Sequence, residues 1–117
     1  LLSPWQASRV VKYRNLLGGY YQASQLSEVY GFSQTVLSRS LPYVLVDTTL
    51  IIKIDLNNSS FKEILRHPYT SYEMTQAIVN KRQKEGKYKS VNALKEITLI
   101  SDSIYHKLRP YIKVSFQ

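Results

Sequence analysis

Catalysis needs a nucleophile, a base or a metal held at a reactive spacing, and few residues here meet that need. The two histidines, His67 and His106, lie far apart, each beside an expected helix end, where a lone imidazole serves as a polar surface or capping group. Asp55 and Glu63 have an expected helix cap between them, so they form no carboxylate pair for acid–base work. The absence of cysteine excludes a thiol nucleophile, a Cys-ligated zinc and a disulfide framework. There is no Walker loop, nucleotide fingerprint or His-x-x-x-His spacing. The expectation is a chain that is not an enzyme, with no cofactor, no metal and no small-molecule substrate.

Phosphate neutralisation is the chemistry the residues do support. Sixteen Lys and Arg against eight Asp and Glu give a net charge of +8 in 117 residues. The excess is uneven: residues 1–50 hold four basic and two acidic side chains, and 51–117 hold twelve and six. Lys81, Arg82, Lys84, Lys87 and Lys89 crowd one short stretch around Tyr88, and Lys62 and Arg66 sit four apart on one expected helix face. Such a cluster either offsets a helix C-terminus or contacts a polyanion, nucleic acid or an anionic membrane surface. No apolar run is long enough to span a membrane.

Caps and spacing define the elements that would position these groups. Ser3-Pro4 is a cap followed by proline at the first helical position, and Gly18-Gly19 closes that helix. Further helices are predicted across Leu26 and Val29, and from Ser33 to Leu41. Asn58, Ser59 or Ser60 can cap a short helix carrying Phe61, Ile64 and Leu65, which His67-Pro68 stops. Ser71 caps the next, with Met74, Ala77, Ile78 and Lys81 on one face and Gly86 at its end. Ser90 opens a helix with Val91, Leu94 and Ile97 inward, and Ser101 caps the last, halted before Pro110.

The chain also repeats itself. A shift of 68 residues lays 3–44 on 71–112 without a gap. Arg14 meets Arg82, Gly18 meets Gly86, Tyr20 meets Tyr88, Leu26 meets Leu94, and Pro42-Tyr43 meets Pro110-Tyr111. The second copy has an upstream piece, 55–67, whose counterpart would precede Leu1. With no initiating methionine, the expectation is a fragment of a longer parent chain. The expected organisation is a truncated first unit (1–44), an extended β-branched joining segment (45–54) and a complete second unit (55–117). Short strands at 45–54 and 112–116 are permitted by the alternation of Ile112, Val114 and Phe116.

Ile54-Asp55-Leu56-Asn57, the Pro-containing turn, Lys81-Arg82, Gly86-Lys87-Tyr88-Lys89-Ser90 and Leu108-Arg109-Pro110-Tyr111-Ile112 together resemble the helix-hairpin-helix repeat of the DNA-uptake (competence) protein ComEA family. The resemblance covers 54–112 fully and 1–44 as a truncated copy. It implies an all-α fold of tandem helix-hairpin-helix repeats, SAM-like or ComEA-like four-helix units, within a bacterial protein. It also implies weak, sequence-independent binding of duplex DNA. In that family Gly-hydrophobic-Gly hairpins bring bare N–H groups up to a phosphate at a helix start.

By position the hairpins here read Leu1-Leu2-Ser3, Gly31-Phe32-Ser33, Tyr69-Thr70-Ser71 and Leu99-Ile100-Ser101. Gly31, Ser33, Ser71 and Ser101 are therefore the positions that would meet phosphate, with Lys62, Arg66, Lys81, Arg82, Lys84, Lys87 and Lys89 as neutralisers. A serine hydroxyl at the second glycine position can take the N–H that phosphate needs, and Glu73 and Asp102 follow two of the serines. The alternative is a structural or protein-interaction repeat that has lost DNA contact, its partner another protein or the rest of the parent chain. Tyr20/Tyr88 and Tyr43/Tyr111 are expected to pack within each unit, and Trp5 to be either core or an uncovered patch.

Overall fold

The serine caps fall where the spacing puts them. In the computed structural model, which describes residues 2–116, Ser3, Ser33, Ser71 and Ser101 are extended N-caps. Each hydroxyl accepts from the backbone N–H three residues on, at 3.1–3.2 Å. They start α1 (Pro4–Leu17), α2 (Gln34–Ser40), α4 (Tyr72–Glu85) and α5 (Asp102–Leu108). Ser60 caps α3 (Phe61–Leu65) through a reciprocal box in which Glu63 accepts from the Ser60 N–H at 2.9 Å. The stretches behind Gln22 and Ser90 are 3-10 helices, Ala23–Glu28 and Val91–Glu96, and Ser90 makes no side-chain cap.

The chain divides into two compact units, residues 1–52 and 53–117. In the second, the core gathers Leu56, Ile64, Ile78, Leu94, Leu108 and Ile112 around the buried ring of Tyr88, and the Tyr111 ring is buried against His67 and Tyr69. Among the described residues its only strands are two residues long, β1 (Ile54–Asp55) and β2 (Ile112–Lys113), paired in parallel with Ile54 opposite Ile112. The first unit packs Leu26, Val29 and Leu37 against Val10, Tyr13, Tyr20 and Phe32. The molecule is mostly helical. Shifting α1, the first 3-10 helix and α2 by 68 positions reproduces the bounds of α4, the second 3-10 helix and α5.

Three expectations need correction. Residues 45–54 do not form one extended segment, because the Asp47 carboxylate accepts from the Thr49 N–H and hydroxyl and winds Thr48–Leu50 into a 3-10 turn. Ile52 then donates to the Gly18 carbonyl at 2.8 Å, tying this stretch to the first unit. His67 is not a surface group. It is buried, its Nδ1 accepts from the Tyr69 N–H at 3.1 Å, and its ring packs on Tyr69 and Tyr111. Tyr111 is fully buried beneath those rings, whereas Tyr43 at the equivalent position is 87% exposed, so only one of that pair packs within its unit. Leu1, part of the first hairpin reading, lies outside the described residues.

Candidate nucleic-acid interface

The second unit is built around one strand–turn–helix clasp. Behind β1, Asn57 is buried, and its amide donates to the carbonyls of Tyr88 at 3.1 Å and Ser115 at 2.9 Å. The Asn57 side-chain oxygen accepts from the Tyr88 N–H at 2.6 Å. Arg82, in the last turn of α4, donates through one guanidinium nitrogen to the Leu56 carbonyl at 3.0 Å and the Ser59 carbonyl at 2.9 Å. The Tyr88 hydroxyl donates to the Ile78 carbonyl at 2.7 Å, and burial raises its pKa to about 12.

Asp55 closes the clasp from the other side. Burial works against its charge, yet it accepts from Asn58, from the Asn57 N–H and from both the hydroxyl and N–H of Ser115. Those bonds prevail and hold the carboxyl down at about 2. Asp55 is thus held as an anion by the turn and by Ser115. Among the described residues no cluster of three His, Asp or Glu side chains could hold a metal ion.

The basic residues separate by role. Lys81 lies 2.9 Å from both Glu85 and Glu96, and those hydrogen bonds raise its pKa. Arg82 is spent on the backbone of the clasp. Lys62, Lys84 and Lys89 are exposed and form no ion pair among the described residues; Lys87 is exposed beside them in the turn after α4. With fourteen residues at about 1.5 Å rise each, α4 holds Ser71 about 20 Å from Lys84. Lys62 belongs with the lysine end, because α3 begins next to Ser59, which Arg82 grips. Arg66 caps the other end of α3, beside the 69–71 hairpin; the Glu63 pKa is lowered chiefly by its hydrogen bonds with Ser60, with a smaller contribution from the Arg66 charge.

At the hairpins the helix starts are already occupied. The hydroxyls of Ser71 and Ser101 take the N–H groups of Met74 and Ile104, and Glu73 and Asp102 stand in the first turns. The turns at 69–71 and 99–101 contain no positive φ, so they need no glycine. Gly31, by contrast, has φ +93°, and a Cβ there would run into the Trp5 ring. That ring is half exposed, edge-on to Tyr30, with the Arg9 guanidinium over both.

Comparison with known families settles what this arrangement is. Residues 51–113, more than half of the chain, match the family described as helix-hairpin-helix motif. The chain belongs to that family. No curated protein and no solved structure gives a significant match. The helix-hairpin-helix match spans β1, the clasp apart from Ser115, both hairpins of the second unit and β2. The sequence placed Asn57 in the resemblance but gave it no role, since that role needs Tyr88 and Ser115 beside it, and it gave no site role to Lys107, whose ammonium lies over the Tyr69 ring at 4.8 Å. Lys107 is exposed and adds charge near the 69–71 hairpin.

Proposed function

We propose that this helix-hairpin-helix chain binds duplex nucleic acid weakly, without reading sequence, and performs no chemistry itself. The motif is generally associated with nucleic-acid binding. The observation that carries the reading is the exposed lysine group Lys62, Lys84, Lys87 and Lys89 at one end of α3 and α4. Mobile ammonium groups neutralise phosphates one by one and carry no base information. The likeness to the competence-type repeat points the same way. The matched caps, helix bounds and tyrosines at a spacing of 68 residues support descent of both units from one duplicated repeat.

The departure from that family lies in where phosphate is met. With hydroxyl-capped, acid-flanked helix starts at Ser71 and Ser101, contact moves from hairpin amides to lysines. Four lysine contacts give a slope of log affinity against log salt of about −3 to −4. Affinity then falls roughly 100-fold between 50 and 200 mM salt. Fluorescence anisotropy with two unrelated duplexes tests this. Equal affinities and that salt dependence are expected; a strong preference for one duplex, or salt-insensitive binding, would refute it.

A second reading, a protein-interaction repeat without nucleic-acid affinity, is favoured by Glu73 and Asp102 beside the capped helix starts. It expects no binding at either salt concentration, and no gain when Tyr69 and Ser71 are both changed to glycine.

A further inference from the structure

The first unit carries an open groove of about 1240 Å³, floored by Val10, Tyr20 and Leu26 and edged by Arg14, Tyr43 and Val44. Shifted by 68 residues, those six become Ile78, Tyr88, Leu94, Arg82, Tyr111 and Ile112; five of them meet or pack around the clasp of the second unit, and Tyr111 packs on His67 just beyond α3. There Ile54 and Asp55 pair with Ile112 and Lys113, the Leu56 N–H donates to the Lys113 carbonyl at 2.9 Å, and Ile64 fills the core. The first unit has no such segment among the described residues. Its chain from Val44 to Val46 runs on without a partner strand, Leu45 is 98% exposed, and the Arg14 side chain is exposed where Arg82 grips two carbonyls.

We infer that this groove is a docking site for a strand–turn–helix peptide of the Ile54–Leu65 type: an aliphatic-Asp-Leu-Asn strand followed by a serine-capped helical turn. The occupant adds a parallel strand beside Val44, places its leucine between Val10 and Leu26, and offers its turn carbonyls to Arg14. Its asparagine meets the backbone of Tyr20. Main-chain pairing supplies affinity and the alternating side chains supply selectivity, as in other strand-addition complexes. Charge agrees with this occupant. The groove presents Arg14 and Arg39 against Asp47, a net positive charge, and Ile54–Leu65 carries Asp55 and Glu63 against Lys62, a net negative one.

This docking is independent of duplex binding, because none of the exposed lysines of the second unit lines the groove. The test uses the full 117-residue chain, isotopically labelled, titrated with a synthetic peptide of sequence 53–67. Saturable amide shifts at Tyr20 and at 44–46 are expected. Affinity should fall at least tenfold for the peptide bearing Asn57→Ala, and similarly for the intact peptide against the chain bearing Arg14→Ala. The Arg14→Ala chain should keep its dispersed spectrum, since that side chain is exposed. No shift at millimolar peptide, equal shifts with a scrambled peptide, or shifts confined to 53–116 would each overturn the proposal. So would concentration-dependent dimerisation that perturbs 44–46 without added peptide, because the occupant would then be a second copy of the chain.

Discussion

Arg82 and Arg14 occupy equivalent last-turn positions of α4 and α1, yet only Arg82 has carbonyls to hold, and replacing each by alanine separates the two situations. Arg82→Ala removes two charge-assisted bonds, 3.0 Å to Leu56 and 2.9 Å to Ser59. Such bonds contribute about 1.5–3 kcal/mol each when well shielded. Arg82 is only half-buried, so solvent competes and about 2 kcal/mol for the pair is the reasonable expectation. In a unit of this size that lowers the melting temperature by roughly 8–16 °C. Arg14→Ala removes no such bond and should cost about 0.5 kcal/mol or less. Favourable interaction with the helix C-terminus is common to both arginines and cancels in the comparison. The units can be followed separately, by Trp5 fluorescence for the first and by hydrogen exchange of the Tyr88 amide for the second. Equal losses at the two sites, or a loss below about 0.5 kcal/mol at Arg82, would refute the clasp as the element that sets the units apart.

Other outcomes follow from the same geometry. Because the Asp55 pKa is lowered from 3.8 to about 2, its charge stabilises the second unit above about pH 4, and that contribution fades as pH falls towards 2. Allowing for partial exposure, the span is on the order of 1–2 kcal/mol; Asp55→Asn should abolish this part of the acid dependence in urea melts at pH 5, 3.5 and 2. Gly86 adopts φ +87° and ψ −167° with open space around it. Gly86→Ala should therefore cost about 1–3 kcal/mol from backbone strain alone, read as a shift in urea midpoint. Gly31→Ala adds a clash with the Trp5 ring to a similar strain, so it should also shift the Trp5 emission.

Much of the fold was legible because its signals are local. Serine caps, Gly18 and Gly86 as helix ends, and Pro68 and Pro110 as stops act within four residues of themselves, and they sit where spacing alone puts them. Arg82 was legible as a phosphate neutraliser and as the repeat partner of Arg14, but not as the grip on the clasp, because its partners lie more than twenty residues upstream. His67 and Asn57 were not legible as core. Each is polar, and each is buried because Tyr111, Tyr88 or Ser115 arrives from a distant stretch of chain. The 3-10 turn at 48–50 hid inside a β-branched run because one Asp47 side chain outweighs that preference. For the candidate site, charge marked the stretch in which the exposed lysines lie, but it gave no means of telling ion-paired Lys81 and backbone-bound Arg82 from them.

Nitrogen–proton spectra of the labelled chain titrated with a short random duplex at low salt bear most directly on the proposed function. Perturbations should concentrate at Lys62 and across 84–89, and they should largely vanish when Lys84, Lys87 and Lys89 are changed to glutamine. Perturbations centred instead on 71–74 and 101–104, or an unchanged spectrum at millimolar duplex, would contradict lysine-mediated phosphate binding.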